Sequence, residues 1–125
     1  MLRELFAAWN VADLDRLFEL VDPDVEVLPI RWQLEGTSYR RPEGIRQMAQ
    51  DTAAEYEFIR VMPDEFRLAG EEVLMLGHFD ARGRASGIDL RFPVAWIARF
   101  RLGKLTYLRA YLNIDEAVEA AGLLE

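Results

Sequence analysis

The sequence contains no cysteine and a single histidine, His78. Without cysteine there are no disulfides, no thiolate metal sites and no thiol nucleophile. One histidine gives a metal centre no support, and no cofactor is expected. Lysine is nearly missing as well: Lys104 is the only one among fifteen basic residues, a bias read here as genome composition. No apolar run approaches the roughly 20 residues that span a bilayer. The opening Met1-Leu2-Arg3-Glu4-Leu5-Phe6 carries charges where a secretory signal has an unbroken apolar core. A soluble, cytoplasmic protein without membrane partners is the expectation. Net positive charge is also lacking. Fifteen basic against 22 acidic residues leave −7, which disfavours sequence-independent nucleic-acid binding. The imbalance is uneven: from Arg82 to Arg109 seven basic residues face Asp89 alone. That stretch reads as a solvated face or one matched to an acidic surface.

What is present is a single domain, residues 1–125, with ordinary hydrophobic and charged fractions. Its clearest pattern runs from Ile88 to Phe100. Ile88, Leu90, Phe92, Val94, Trp96, Ala98 and Phe100 are apolar at every even position, with Asp89, Arg91, Pro93, Arg99 and Arg101 at most odd ones. This is the period of a strand with one apolar face. Glu71 to Asn113 therefore reads as three long antiparallel strands of one bent sheet, with loops at Ala81–Gly87 and Leu102-Gly103-Lys104.

Before the sheet, Leu2, Leu5, Phe6 and Trp9 fall at helical spacing, broken at Asn10-Val11-Ala12. Asp13 suits the N-cap of a second helix packing through Leu14, Leu17, Phe18 and Val21 and stopping at Asp22-Pro23. Val25 to Trp32 reads as a short edge strand containing Pro29. Pro42 suits the start of a third helix, with a stripe of Ile45, Met48, Ala49, Thr52, Ala53 and Tyr56. Phe58–Met62 and Glu65–Ala69 read as two short strands about a Pro63-Asp64 turn, and Asp115 as the cap of a last helix. Helices gathered on one side of an antiparallel sheet make an α+β domain. Their cover is expected to be incomplete, leaving a lined cavity.

The order of several short pieces resembles the SnoaL-like branch of the nuclear transport factor 2-like superfamily. The carriers are Ala8-Trp9-Asn10 with Asp13-Leu14, Asp22-Pro23-Asp24-Val25-Glu26, Leu34-Glu35-Gly36, and Tyr39-Arg40-Arg41-Pro42-Glu43-Gly44-Ile45-Arg46. They continue with Gly83-Arg84-Ala85-Ser86-Gly87, Gly103-Lys104-Leu105, Arg109-Ala110-Tyr111-Leu112 and Glu116–Leu123. The resemblance implies a cone-shaped roll, a curled sheet wrapped round a long helix in the cystatin-like manner, with a cavity at its wide end. It also implies homodimers packed through the outer sheet face. The fold hosts isomerases, dehydratases, hydrolases, cyclases and binding modules, so function has to come from the site.

Among relatives of that kind, ketosteroid isomerases use a carboxylate base and an oxyanion hole of a tyrosine and a protonated carboxylic acid. At the matching positions this chain has Leu28, Leu5 and Trp96. Leucine neither accepts a proton nor donates a hydrogen bond, and the indole N–H donates without titrating. That chemistry is therefore excluded. If the first long strand follows the family register, Leu74, Leu76, His78 and Asp80 point inward, and Val73, Met75 and Phe79 outward. His78 with Asp80 would then be a candidate acid–base pair, whereas a one-residue slip sends His78 to the outer face.

Trp9, Met48, Tyr56, Phe92 and Trp96 are candidate walls of an apolar pocket. Leu28, Leu76 and Leu112 are added to them, with Trp32 and Tyr39 at the mouth. Glu26 and Asp89 are rejected as a carboxylate pair on parity. The Arg82–Gly87 loop lacks the strand-to-helix setting of a phosphate cradle. On the outer face, Arg91, Ala95, Ile97, Arg99, Tyr107, Arg109 and Tyr111 have interface composition. Three functions stand open: a binder of a small, largely apolar molecule, an enzyme using His78 and Asp80, or a protein-interaction module.

Overall fold

The structure, a computed structural model, describes residues 2–30 and 36–122. Two short helices, α1 (Leu2–Asn10) and α2 (Leu14–Leu20), precede strand β1 (Val21–Leu28) and the two-residue β2 (Tyr39–Arg40). Helix α3 (Arg41–Glu55) follows, then β3 (Tyr56–Ala69), β4 (Glu72–Gly83), β5 (Asp89–Arg101), β6 (Lys104–Tyr111) and α4 (Ile114–Ala120). The strands form one six-stranded sheet in the order β2-β1-β6-β5-β4-β3, antiparallel except where β1 runs parallel to β6. This is an α+β roll, with α1, α2 and α3 on the inner face of a curled sheet.

Local chemistry explains most boundaries. Asp13 accepts from the Arg16 N–H and starts α2. Pro42 sits in the first turn of α3, beside Glu43 at the positive end of the helix. The β5–β6 turn places Leu102 at φ 52° and Gly103 at φ 77°, the positive pair that a two-residue hairpin demands. The sheet bends where its register shifts: at Val21/Glu26, Tyr56/Phe58, Pro63/Glu65 and Arg99/Phe100.

Several expected boundaries differ. β1 starts at Val21 and passes through Pro23, ending before Pro29, so the expected Val25–Trp32 strand begins too late. Residues 31–35, Trp32 among them, lie outside the described residues. The two short strands about Pro63-Asp64 are one strand, β3. Because β3 is an edge strand, Pro63 removes no needed ladder bond and the irregularity becomes a bulge. Asn113, not Asp115, caps α4 by accepting from the Glu116 N–H at 3.2 Å.

The sheet separates two apolar clusters. The inner one joins Leu5, Phe6, Leu17, Val27, Ile45, Val61, Met75, Phe79, Val94, Trp96, Ala98 and Leu108. The outer one is Leu74, Ala95, Ile97, Tyr111 and Ala117, sealed by Ile114, Val118 and Ala121 around α4. Val73, Met75 and Phe79 thus face inward, while Leu74 and Leu76 face outward. This reverses the expected register of β4. The pairing of Phe79 with Phe92 and of Met75 with Trp96 fixes it, because the even positions of β5 face the helices.

The arginines of the sheet meet acids both inside and outside their own stretch. Arg99 pairs with Glu72 at 2.5 Å, Arg101 with Asp22 at 3.1 Å, Arg82 with Asp89 at 2.6 Å, and Arg91 approaches Asp80 at 3.7 Å. Arg84 donates to the carbonyls of Ala53 and Tyr56, and Lys104 to that of Glu19. Four of the seven basic residues from Arg82 to Arg109 are thus matched by acids, while Arg84 and Lys104 are held by backbone carbonyls.

Candidate functional site

A cavity of about 210 Å³ lies between the inner sheet face and the helices. Helix α3 forms one side of it. That helix buries only Ile45 fully, and Ile45, Met48, Thr52 and Glu55 are its contribution to the wall. Opposite stand Val21 and Val27 of β1, Val61 of β3, Phe79 of β4, Trp96 of β5 and Leu105 and Leu108 of β6. Leu5, Phe6 and Trp9 of α1 with Leu17 of α2 close one end.

One wall is aromatic. Phe92 and Phe79 are 5.3 Å apart between ring centres, Phe79 and Trp96 6.0 Å, and Trp96 and Phe6 5.6 Å, each pair tilted or edge-on. Polar groups gather at the rim. The helix α3 runs without a loop into β3, which sets the exposed Glu55 and half-buried Tyr56 side by side at the opening. Tyr39 lines the cavity, and its hydroxyl donates to Asp51 at 2.6 Å, while Gln47 donates to the other Asp51 oxygen at 2.8 Å. Deeper in, Trp96 is only 5 % exposed, and no acceptor reaches its Nε1–H.

The proposed lining residues divide. Trp9, Tyr39, Met48, Tyr56, Phe92 and Trp96 surround this cavity, as does Leu5. Leu28, Leu76 and Leu112 do not. Leu28 is buried one position past the lining residue Val27, on alternate parity. Leu76 packs in the outer cluster, and Leu112 lies past the end of β6, 41 % exposed. Pro29, Ile30, Ile59, Val61 and Phe79 are among the lining residues that were missed, as are Phe6, Val21, Val27, Leu105 and Leu108. Phe79 was obscured by the assumed register, and Ile59 and Val61 by the splitting of β3.

His78 and Asp80 require correction. With Phe79 inward, both lie on the outer face, away from the cavity. There His78 Nδ1 is 3.4 Å from Asp64 and Nε2 3.9 Å from Asp80, which also approaches Arg91. They share a surface charge cluster and have no access to a molecule inside the roll. Among the described residues no group of three His, Asp or Glu is placed to hold a metal.

The expected dimer face also changes. Ala95, Ile97 and Tyr111 are already buried beneath α4 within one chain, and burial pushes the Tyr111 phenol pKa up. Arg91 and Arg99 remain exposed, and Tyr107 and Arg109 half-buried. Arg99 stacks on Tyr107 and Arg109 on Tyr111, at 4.5 and 4.6 Å. The missed element is the coverage by α4, signalled by Ile114, Ala117, Val118 and Ala121 at helical spacing.

One further residue escaped notice. Asn10 was read only as a helix end, yet its side chain donates to the Val61 carbonyl and accepts from the Val61 N–H, both at 2.8 Å. It pairs with the free edge of β3 as a neighbouring strand would, and so holds α1, with Trp9, against the cavity.

Residues 2–108 match the family model of the SnoaL-like domain. No curated protein matches the chain. Among solved structures, a nuclear transport factor 2-like protein of unknown function from Burkholderia pseudomallei superposes with a TM-score of 0.79 at 19 % identity. That match covers 94 % of this chain and 92 % of the other. A protein of ketosteroid isomerase-like fold from Catenulispora acidiphila, in complex with trimethylamine, gives 0.79 at 20 %, over 98 % and 92 %. TerC, co-crystallised with polyporic acid, gives 0.79 at 18 %, over 97 % and 95 %. At such identities the likeness is one of fold.

Proposed function

The chain belongs to the SnoaL-like domain family, and from that membership we propose that it binds a small, largely apolar molecule in the cavity of its roll. The observation that carries this reading is the lining. A space of about 210 Å³ is walled almost wholly by aliphatic and aromatic side chains, with ionisable groups only at its rim. Engineered apolar cavities of roughly 150 Å³ stay dry and take up benzene, so a space of this kind accepts a ring in preference to water. Trimethylamine and polyporic acid in two structures of the same fold are consistent with ligands in such rolls. Catalysis by His78 and Asp80 has no support from their position.

The test is calorimetric titration with indane, a two-ring hydrocarbon without polar groups. Saturable binding of one equivalent is expected, lost in Met48→Trp, whose indole would occupy the space beside α3. Absence of binding to the wild-type protein, or undiminished binding to a folded Met48→Trp, would contradict the reading. For assembly we propose a two-fold homodimer through the exposed Arg91 and Arg99 and the half-buried Tyr107 and Arg109 beside α4. Sedimentation as a monomer at micromolar concentration would remove it.

A further inference from the structure

A second hollow, of about 230 Å³, adjoins the first. Its lining includes Asn10 and Ala12 after α1, Ala49 and Ala53 of α3, and Glu57 and Phe58 at the start of β3. Five residues, Trp9, Leu17, Thr52, Tyr56 and Ile59, line both this hollow and the interior of the roll. One layer of side chains therefore borders the two spaces. All of the five but Leu17 are half-buried and keep open surface.

Three of the shared residues carry polar groups: the Trp9 indole N–H and the Thr52 and Tyr56 hydroxyls. None of these groups is engaged by the protein, and none is enclosed. Other polar side chains of the two walls are already taken. Tyr39 donates to Asp51 at 2.6 Å, Asn10 is bonded twice to Val61, and Glu57 faces Arg82 at 3.7 Å. Thr52 and Tyr56 come together because they stand four residues apart, on α3 and at its C-cap. The open donors are thus gathered where the two spaces adjoin.

On the premise that the interior is a binding site, we propose that the two spaces form one elongated site. It takes a neutral molecule of two apolar rings joined by a short oxygen-bearing link, a ketone, ether or alcohol. The size follows from the spaces: about 210 and 230 Å³ each exceed the roughly 150 Å³ that holds benzene. The link follows from the donors. Trp9 can only donate, and both hydroxyls can donate beside it, so the group placed among them is an acceptor oxygen. The charge class follows from the walls. Among the described residues lining either space none is basic, while Glu55 and Glu57 are acidic, so an anionic link would lack a counter-charge. The second ring is held as the tethered half of a molecule anchored in the interior.

The probes are benzophenone and diphenylmethane, which share a skeleton and differ in one carbonyl, and indane, which fills the interior alone. Ala49 and Ala53 line only the second hollow. Ala49→Phe and Ala53→Phe therefore fill it without entering the interior, and Ala53 is an exposed helix position where the larger side chain leaves the fold intact. In calorimetry both variants should keep indane affinity within about twofold and weaken benzophenone about tenfold, the loss of one buried ring. In the double variant Thr52→Val, Tyr56→Phe, the affinity of benzophenone relative to diphenylmethane should fall about fivefold, the loss of a neutral hydrogen bond. Indane binding with benzophenone affinity undiminished in both folded alanine variants overturns the elongated site and leaves the interior site standing. A ratio unchanged in the double variant overturns the oxygen-bearing link. If indane itself does not bind, the interior reading fails and this inference falls with it.

Discussion

Replacing Asn10 by alanine should cost about 2–3 kcal/mol. Two hydrogen bonds of 2.8 Å join its side-chain amide to Val61, one in each direction. Val61 is 2 % exposed and belongs to the edge strand β3, whose outward backbone groups have no neighbouring strand. Truncation leaves an N–H and a carbonyl unpaired, each costing about 1–3 kcal/mol. The contact is part-buried, so water reaches it after truncation and the lower end applies. At this chain length the change corresponds to a fall of about 10 °C in Tm. Urea denaturation followed by circular dichroism gives the free energy directly. The sign discriminates sharply. Alanine is a better helix former than asparagine by a few tenths of a kcal/mol, so an Asn10 that merely ended α1 would leave stability unchanged or raised. That outcome would refute the reasoning.

Gly77→Ala should destabilise by about 1–3 kcal/mol, because a Cβ there would stand 2.2 Å from the Met62 carbonyl oxygen; urea denaturation indistinguishable from wild type would contradict the close strand approach. The Asp22 carboxyl is held below its ordinary value of 3.8 by the Asp24 N–H first and the Arg101 guanidinium after it, against burial. Its contribution is thus complete above that value and lost as pH falls below it. The gap in Tm between wild type and Asp22→Asn should therefore be largest near neutrality and shrink from pH 5 to pH 2; a gap independent of pH would exclude the charged contact. His78→Ala should leave indane affinity within about twofold, since His78 lies across the sheet from the cavity, and a larger loss in calorimetry would place it nearer the ligand than β4 allows.

The sequence made the sheet legible because β5 alternates so regularly: the inner residues Phe92, Val94, Trp96 and Ala98 follow from parity alone. β4 was harder. Val73 to Leu76 is apolar at four consecutive positions and is buried on both faces, so alternation could not say which of Met75 and Leu76 faces the helices. Only pairing with β5 decides it, and His78 and Asp80 move to the outer surface with that choice. β3 hid behind Pro63, which signals a turn in isolation and is tolerated at a sheet edge. The aromatic half of the cavity wall could be named from composition and spacing through Trp9, Phe92 and Trp96. Val61 and Phe79 could not, because their direction depends on register. Asn10 gave no signal, since its partner lies 51 positions away.

The claim on which the rest depends is an accessible apolar space inside the roll, and nuclear Overhauser contacts from bound indane to assigned methyl groups test it most directly. Contacts to Ile45, Val61 and Leu108, with none to Leu74 or Ile97 across the sheet, are the predicted result. Indane in contact only with the outer-face methyls, or with no methyl at all, would contradict it.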